Sequence, residues 1–172
     1  MRFDLHVHSS HSGDSTSGVE ELLEECVRKG FKGVAIMDHN SLEGYRKAFS
    51  LRREDILIIP GMEISSAKGH ILAYNVQEVV PRDLEVAETI DRIRTQGGIA
   101  VAAHPYRMWS GLGEDNTRSN DFDAIEVHNG RSTFHNNEEA MKLAIQMCRP
   151  FTAGSDSHEL ATVGSAYFES DN

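Results

Sequence analysis

Short apolar runs alternate with amphipathic helical segments along almost the whole chain. The runs that predict β-strands are Phe3–His8, Gly33–His39, Ile56–Ser65, His70–Val76, Gly98–His104, Ala124–Asn129 and Pro150–Asp156, with Ser165–Glu169 as a weaker eighth. Several are almost continuously apolar, which is typical of strands covered on both faces. Such alternation indicates an α/β fold built on a mainly parallel sheet, open or closed. A chain of 172 residues fits a single domain over residues 1–172.

Polar capping residues and apolar spacing predict four helices between these strands. The first begins in a capping box, Ser17-Gly18-Val19-Glu20, and ends at Gly30. The others are expected from Ser41 to about Arg53, from Pro81 to Gly97, and from Asn136 or Asn137 onward. The polar segment Arg107–Asp121 has no helical or strand periodicity, so we expect a long loop there that is functional or mobile.

The net charge narrows the classes of partner. The chain has 17 Lys and Arg against 27 Asp and Glu, a formal charge of −10 at pH 7. Long nucleic acids are not expected as partners, because phosphate binding needs clustered basic charge. No stretch approaches the roughly 18 apolar residues of a membrane span, and the charged start differs from a signal peptide. We therefore expect a cytoplasmic protein with no membrane partner, in which a locally cationic pocket could still bind a small anion.

Histidines are concentrated where the predicted strands end. Six of the nine histidines lie at or just beyond the carboxyl ends of five strands: His6, His8, His39, His104, His128 and His158. Glu63 and Asp156 end two strands, and Asp14 follows the first. Functional sites of α/β folds form at this edge, and residues two apart on a strand, such as His6 and His8, point to one face. Because imidazole with carboxylate suits Zn, Mn or Fe, the pattern predicts a metal site.

The same positions carry a family resemblance. The motifs are Asp4-Leu5-His6-Val7-His8-Ser9, Ser12-Gly13-Asp14, Met37-Asp38-His39-Asn40, Gly61-Met62-Glu63, His104-Pro105, Glu126-Val127-His128-Asn129 and Gly154-Ser155-Asp156-Ser157-His158. In this order, from Phe3 to at least His158, they resemble the PHP (polymerase and histidinol phosphatase) family. The resemblance implies a distorted (β/α)7 barrel, similar to a TIM barrel, with a trinuclear metal site at the mouth formed by the carboxyl ends of the strands. It also implies a metal-dependent phosphoesterase, which is the commonest activity of the family.

Nine metal ligands are implied by this resemblance. They are His6, His8, Glu63 and Asp156 for one metal, Glu63, His104 and His128 for a second, and Asp14, His39 and His158 for the third. At the sixth strand, Asn129 is the alternative to His128. Up to three divalent cations are expected, as Zn, Mn or Fe, and the predicted catalytic residues are Glu63, Asp156 and His158.

The charge of such a site favours a phosphorylated substrate. Three dications contribute +6 and three carboxylates contribute −3, which leaves about +3 in an otherwise acidic chain. A small phosphorylated metabolite or nucleotide fits that charge, with hydrolysis by a hydroxide that the metals activate. The candidates for contacting the substrate are Arg131, Arg107 and His70. Trp109, in the long predicted loop, is a candidate for stacking on a base.

Two other functions are compatible with the sequence. An amidohydrolase-type hydrolase also uses His-x-His on a barrel strand. It usually relies on a bridging modified lysine at a strand end, however, and no Lys ends a predicted strand here. A non-catalytic metal-binding module is the second alternative, because PHP domains also occur as parts of polymerases. The full set of ligands favours an enzyme.

Overall fold

Strands and helices alternate along residues 1–171, the residues that the computed structural model describes. The strands are β1 (Arg2–Val7), β2 (Gly33–Ile36), β3 (Leu57–Ile59), β4 (Gly61–Ser65), β5 (His70–Tyr74), β6 (Ile99–Ala102), β7 (Ala124–Asn129), β8 (Phe151–Gly154) and β9 (Phe168–Glu169). The helices are α1 (Val19–Arg28), α2 (Glu43–Ser50), α3 (Val86–Thr95), α4 (Gly113–Ser119) and α5 (Phe134–Gln146). Within the described part of the chain, no helix is long and apolar enough to cross a membrane.

The strands form two mixed sheets. The order is β3-β2-β1-β9 in the first sheet and β4-β5-β6-β7-β8 in the second. Isolated parallel bridges, Val7 with Ser157 and His39 with Glu63, join the sheets at two seams near the carboxyl ends of the strands. The α/β class is confirmed, and the closed (β/α)7 barrel stays a prediction.

Two strands run against the all-parallel order that a (β/α)7 barrel requires: β9, which pairs antiparallel with β1, and β5 in the second sheet. β5 pairs antiparallel with both β4 and β6. Only residues 66–69 separate β4 from β5, whereas a parallel pair needs a crossover of about a dozen residues or more. The reversal of β5 places its start, and therefore His70, at the edge where the parallel strands end.

The predicted strand Ile56–Ser65 is divided in two. β3 pairs with β2, and β4 pairs with β5, with Pro60 between them. Proline has no N–H to donate to a strand ladder and its φ angle is fixed, so the run changes sheets at this residue. β4 then delivers Glu63 to the seam beside His39.

None of the four predicted helices begins as predicted. α2 is capped by Leu42 rather than Ser41, and α3 begins at Val86, five residues after Pro81. Gly18, rather than Ser17, is the N-cap of α1, and the buried Ser17 hydroxyl has no hydrogen-bond partner, so the capping box does not form. Thr133 caps α5. Asn137, a predicted cap, instead accepts a hydrogen bond from the N–H of Asn129 and donates one to its carbonyl. This pair of bonds fixes the backbone at the end of β7.

The segment Arg107–Asp121 contains a helix where an irregular loop was predicted. α4 occupies its second half, and polar side chains bond back to carbonyls four residues earlier, as the Thr117 hydroxyl does to Gly113. Thr117 is the buried residue of this seven-residue helix. With so little buried surface, the helix has no apolar periodicity to reveal it in the sequence.

Apolar side chains fill the space between the two sheets. Met37, Leu72 and Val101 are buried there, and each such burial contributes roughly 1.5–3 kcal/mol to stability. The Tyr74 hydroxyl donates a 2.8 Å hydrogen bond to the Leu5 carbonyl and so joins β5 to β1 across this interior. This apolar interior lies directly beneath the polar residues at the strand ends.

Candidate metal centre

Eight of the nine predicted metal ligands converge above the apolar interior, where the strands end. They are His6, His8, Asp14, His39, Glu63, His104, Asp156 and His158, on or just after β1, β2, β4, β6 and β8. The convergence follows from the topology, because the carboxyl ends of β1, β2, β6 and β8 meet at one edge of the fold. Asp14, on the loop after β1, is the most exposed of the eight, with 55% of its side-chain surface accessible.

Glu63 lies at the centre of the cluster and is 1% exposed. Five imidazole nitrogens surround its carboxylate: His70 Nδ1 at 2.8 Å and His104 Nε2 at 3.0 Å from Oε1, and His39 Nδ1 at 3.1 Å, His8 Nε2 at 3.3 Å and His6 Nε2 at 3.5 Å from Oε2. A single carboxylate therefore contacts side chains from both sheets, which is the position that a bridging ligand requires.

Two further carboxylates complete the cluster. Asp156 Oδ1 lies 3.3 Å from His8 Nε2 and 3.7 Å from His6 Nε2. Asp14 Oδ2 lies 3.0 Å from His158 Nε2 and 3.6 Å from His39 Nε2. Donors bound at about 2.1 Å in a tetrahedron around one cation are roughly 3.4 Å apart, which is the range of these distances.

In His6 and His8 the ring nitrogen that faces away from the cluster has a protein partner, whereas the corresponding Nδ1 of His104 is buried without one among the described residues. His6 Nδ1 is 2.8 Å from Glu126 Oε1, and His8 Nδ1 is 3.0 Å from the Ser12 hydroxyl. Ser12 in turn donates to Asp38. Such partners fix the tautomer and the ring orientation of metal-binding histidines, so that the other nitrogen presents its lone pair to the cluster. Our sequence reasoning assigned no role to Glu126 or Ser12, although both lie within the motifs.

Backbone strain accompanies two of the candidate ligands. His104 has φ of 27° and Asp156 has φ of 52°, values that non-glycine residues rarely adopt. Each such residue costs on the order of 1–3 kcal/mol and persists only where its surroundings fix it. At Asp156 the fixing contact is a 2.6 Å hydrogen bond from its N–H to the His6 carbonyl. A Cβ on Gly154 would lie 2.4 Å from the His6 Cβ, so a glycine is needed for this approach of β8 to β1.

The pKa values of the buried groups depend on how the carboxylates and histidines face one another. Burial would raise the pKa of Glu63 and of Asp156, but neighbouring histidines, His6 foremost, lower both well below the usual range. Burial lowers the pKa of His39 to about 4, so its ring is neutral at pH 7. Burial would also lower the pKa of His6, but the carboxylates around it, beginning with Glu126, raise it well above the ordinary value. The cluster therefore draws positive charge towards its carboxylates.

These residues fit divalent cations on an independent observation. Glu63 Oε2 and His39 Nδ1 are buried and lie 3.1 Å apart, but the two atoms do not have hydrogen-bond geometry, and neither has another hydrogen-bond partner among the described residues. Leaving such groups unpaired costs free energy that a bound cation would recover. Three groups of donor atoms are compact, each within 4.8 Å: His6, His8 and Glu63; His8, His39 and His158; and His39, Glu63 and His70. His70, which was predicted to contact the substrate, thus also lies close enough to His39 and Glu63 to share a cation with them.

The structure does not bring His128 into the cluster. The register of β7 against β8 shifts between Glu126 and His128, and His128 is exposed whereas Asn129 is fully buried. The Asn129 amide lies 3.1 Å from Glu126 and 3.2 Å from Asp156. The prediction of His128 as a metal ligand is therefore corrected, and its alternative, Asn129, is the residue that faces the site.

The three candidates for substrate contact line one small cavity of about 110 Å³ above the cluster. The Arg107 guanidinium forms an ion pair with Asp156. Arg131 Nη1 lies 2.9 Å from His158 Nδ1 and 3.9 Å from Asp156 Oδ1. His70 reaches the cavity from the reversed strand β5. Cationic groups thus surround the opening of a site that is otherwise rich in carboxylates.

Several known proteins are similar to this chain in sequence or in fold. An uncharacterised protein from Methanocaldococcus jannaschii is 35% identical over 141 residues, covering 75% of this chain and 82% of that protein. Two solved structures share the fold at low identity. A proposed metal-dependent phosphoesterase from Bifidobacterium adolescentis has a TM-score of 0.76 at 18% identity, covering 91% of this chain and 87% of its own. An amidohydrolase from Chromobacterium violaceum, solved with bound sulfate and no metal, has a TM-score of 0.82 at 16% identity, with coverages of 99% and 93%.

The family is established by the sequence itself. Residues 134–172 match the PHP-associated region. Residues 4–148, which include β1 to β7 and most of the cluster, match the PHP domain, and the chain therefore belongs to the PHP family.

Proposed function

We propose that this protein is a metal-dependent phosphoesterase that hydrolyses a small phosphorylated metabolite or nucleotide. The observation that carries the proposal is the Glu63 carboxylate, which has five imidazole nitrogens within 3.5 Å and one buried oxygen without a hydrogen bond. Membership of the PHP family supports the same class of reaction. The finer assignment of the substrate rests on the charge and size of the cavity.

Glu63, Asp156 and His158 are the proposed catalytic residues, because they line the cavity in which the cations and the phosphoryl group would bind. His6, His8 and His104 complete the inner part of the cluster, and Asp14 with His39 extends it towards the opening. This donor set suits up to three cations, as Zn, Mn or Fe. When bound, such cations lower the pKa of water and neutralise charge on phosphoryl oxygens.

Arg107 and Arg131 are proposed to bind the phosphate. Both guanidinium groups lie at the cavity wall, and the planar fork of arginine matches two phosphate oxygens at once. A cavity of about 110 Å³ has room for a phosphoryl group with the rest of the substrate outside. The formal charge of −10 repels a long polyanion from the remaining surface, so we propose small substrates and no long nucleic acid.

The amidohydrolase-type alternative lacks its expected bridging group. Among the described residues, no lysine lines the cavity, and Glu63, which contacts histidines of both sheets, is proposed as the bridging residue instead. The likeness to the Chromobacterium violaceum amidohydrolase concerns the fold. The retained donor set likewise favours an enzyme over a non-catalytic module.

The test is a phosphatase screen with Glu63→Gln as the inactivating variant. Protein purified without chelator is assayed against phosphorylated metabolites and nucleotides with added Mn, Fe or Zn. We expect turnover of at least one small phosphate ester, lost in Glu63→Gln. Glu54→Gln, the same change at an exposed residue between α2 and β3, is the matched control and should stay active. Turnover by Glu63→Gln at the wild-type rate would contradict the proposal.

A further inference from the structure

Trp109 is an exposed aromatic side chain beside the cavity. It is the only tryptophan of the chain. With 96% of its surface accessible, it is also the most exposed of the large apolar residues in the described part of the chain. It lies two positions after Arg107 and one before Ser110, both of which line the cavity. Residues two positions apart are separated by at most about 7 Å between Cα atoms, so the backbone of Trp109 lies close to the phosphate-binding wall.

Backbone hydrogen bonds fix the turn that carries this tryptophan. The N–H of Arg107 donates to the His104 carbonyl, and the N–H of Gly111 donates to the Arg107 carbonyl, both at 2.9 Å. The Ser110 carbonyl accepts from the N–H of His70 at 2.8 Å, which ties the turn to β5. The glycine serves close packing rather than the flexibility expected of a mobile loop, because a Cβ on Gly111 would lie 2.7 Å from the His104 carbonyl oxygen.

The conformation of Trp109 itself is strained. Its φ of 72° is in the left-handed region, which bulky residues rarely adopt, and its neighbours hold it there. The backbone of Trp109 is fixed, but almost the whole surface of its indole is in solvent, so the ring gains little from folding. It is instead prepared to contact a group that arrives from solvent.

We propose that Trp109 stacks on a planar aromatic ring of the substrate, so that the preferred substrate is a nucleoside phosphate monoester. The proposal rests on the proposed function, which places the phosphate between Arg107 and Arg131. The base of such a nucleotide would then lie outside the small cavity, where the turn presents Trp109. Acidic residues of α4, Glu114 and Asp115, follow the turn and disfavour a continuing phosphate chain, which restricts binding to short nucleotides.

The first test follows the intrinsic tryptophan fluorescence of the protein, which comes from Trp109 alone because the chain has no other tryptophan. The metal-loaded protein is titrated with the 5′-methylene phosphonate analogue of adenosine monophosphate, with inorganic phosphate and with ribose 5-phosphate. Saturable quenching by the adenosine compound, absent with the other two, is expected. The proposal would be overturned if the adenosine compound left the fluorescence unchanged. It would also be overturned if the fluorescence changed only with protein concentration, because the indole would then be packing against a second copy of the chain.

The second test compares two substrates. Trp109→Ala should lower the ratio of kcat/KM for adenosine monophosphate to that for ribose 5-phosphate by about 5- to 100-fold, mainly through KM, as expected for loss of one base–aromatic stack. Trp109→Phe should restore most of the ratio. Met108→Ala, which removes a neighbouring exposed side chain without a ring, should keep the wild-type ratio.

The two proposals fail in distinguishable ways. An unchanged ratio in Trp109→Ala, with both substrates turned over, would refute the stacking and leave the phosphoesterase standing. Hydrolysis of neither substrate, with quenching by the adenosine compound intact, would instead refute the proposed function and leave the stacking site.

Discussion

Replacing Glu126 by glutamine perturbs the proposed metal centre through a residue that is not itself a predicted ligand. Glu126 is buried; its Oε1 lies 2.8 Å from His6 Nδ1 and its Oε2 accepts from the His104 N–H at 2.9 Å. Glutamine has the same shape but carries NH2 in place of one oxygen. If that NH2 faces His6, Nδ1 must accept a hydrogen bond and the ring proton moves to Nε2, where it blocks a metal. If it faces His104, two N–H groups oppose each other.

The expected magnitude follows from these two orientations. Loss of the partner that orients a metal-binding histidine typically costs 10- to 100-fold in metal affinity, which is about 1.4–2.7 kcal/mol. The other orientation leaves the buried N–H of His104 unsatisfied and costs about 1–3 kcal/mol of folding stability. We therefore expect weaker metal binding, a lower stability, or both.

The assay is a calorimetric titration of metal-free protein with Mn²⁺, followed by activity against Mn²⁺ concentration. Glu126→Gln should bind Mn²⁺ 10- to 100-fold more weakly, and saturating Mn²⁺ should restore most of its activity, because the ligands themselves are intact. The control is Glu54→Gln, whose carboxylate is exposed and has no contact with the cluster. A wild-type dissociation constant for Glu126→Gln together with wild-type stability would refute the reasoning.

The remaining predictions concern the ligands, the close approach of β8 to β1, the bound metal and substrate length. Glu63→Gln and Asp156→Asn should each abolish phosphoesterase activity while circular dichroism stays native; turnover by both would overturn the assignment. Gly154→Ala should lower the free energy of unfolding by about 1–3 kcal/mol, because its Cβ would lie 2.4 Å from that of His6, whereas Gly13→Ala has nothing within 4 Å and should stay near wild type in denaturant titrations. A chelator should lower the melting temperature of the wild type, and metal analysis should find more than one equivalent; no melting shift and no bound metal would contradict the centre. A nucleotide should be hydrolysed faster than a long duplex at equal ionic strength, and the reverse order would refute the size argument.

The convergence of the site is predictable from the sequence because it depends on strand ends and strand parity. His6 and His8 share a face of β1 since they are two apart, and Glu63 and His104 meet them because their strands end at the same edge. The ligand roles themselves stay predictions. The divided strand could also have been foreseen, because Pro60 stands in the middle of the run.

Features that depend on tertiary packing were not predictable. Ser17 is the first residue of a capping-box sequence, yet Gly18 is the N-cap of α1 and the Ser17 hydroxyl is buried without a hydrogen-bond partner. α4 forms from polar residues that bury little more than Thr117, so nothing in its apolar pattern distinguishes it from a loop. In both cases the surroundings of the segment, rather than its own residues, decide its structure.

Tertiary packing also explains why Asn129, rather than the predicted His128, faces the site. Strict alternation on β7 would place Glu126 and His128 on one face, but the register shift between them turns Asn129 inward instead. Val127 packs into the apolar cluster that also contains residues of α5. Asn137 of that helix holds the backbone of Asn129 with two hydrogen bonds. The contacts of β7 with α5 therefore decide which side chain faces the site, and such packing contacts leave no periodic pattern within β7 from which the shift could be predicted.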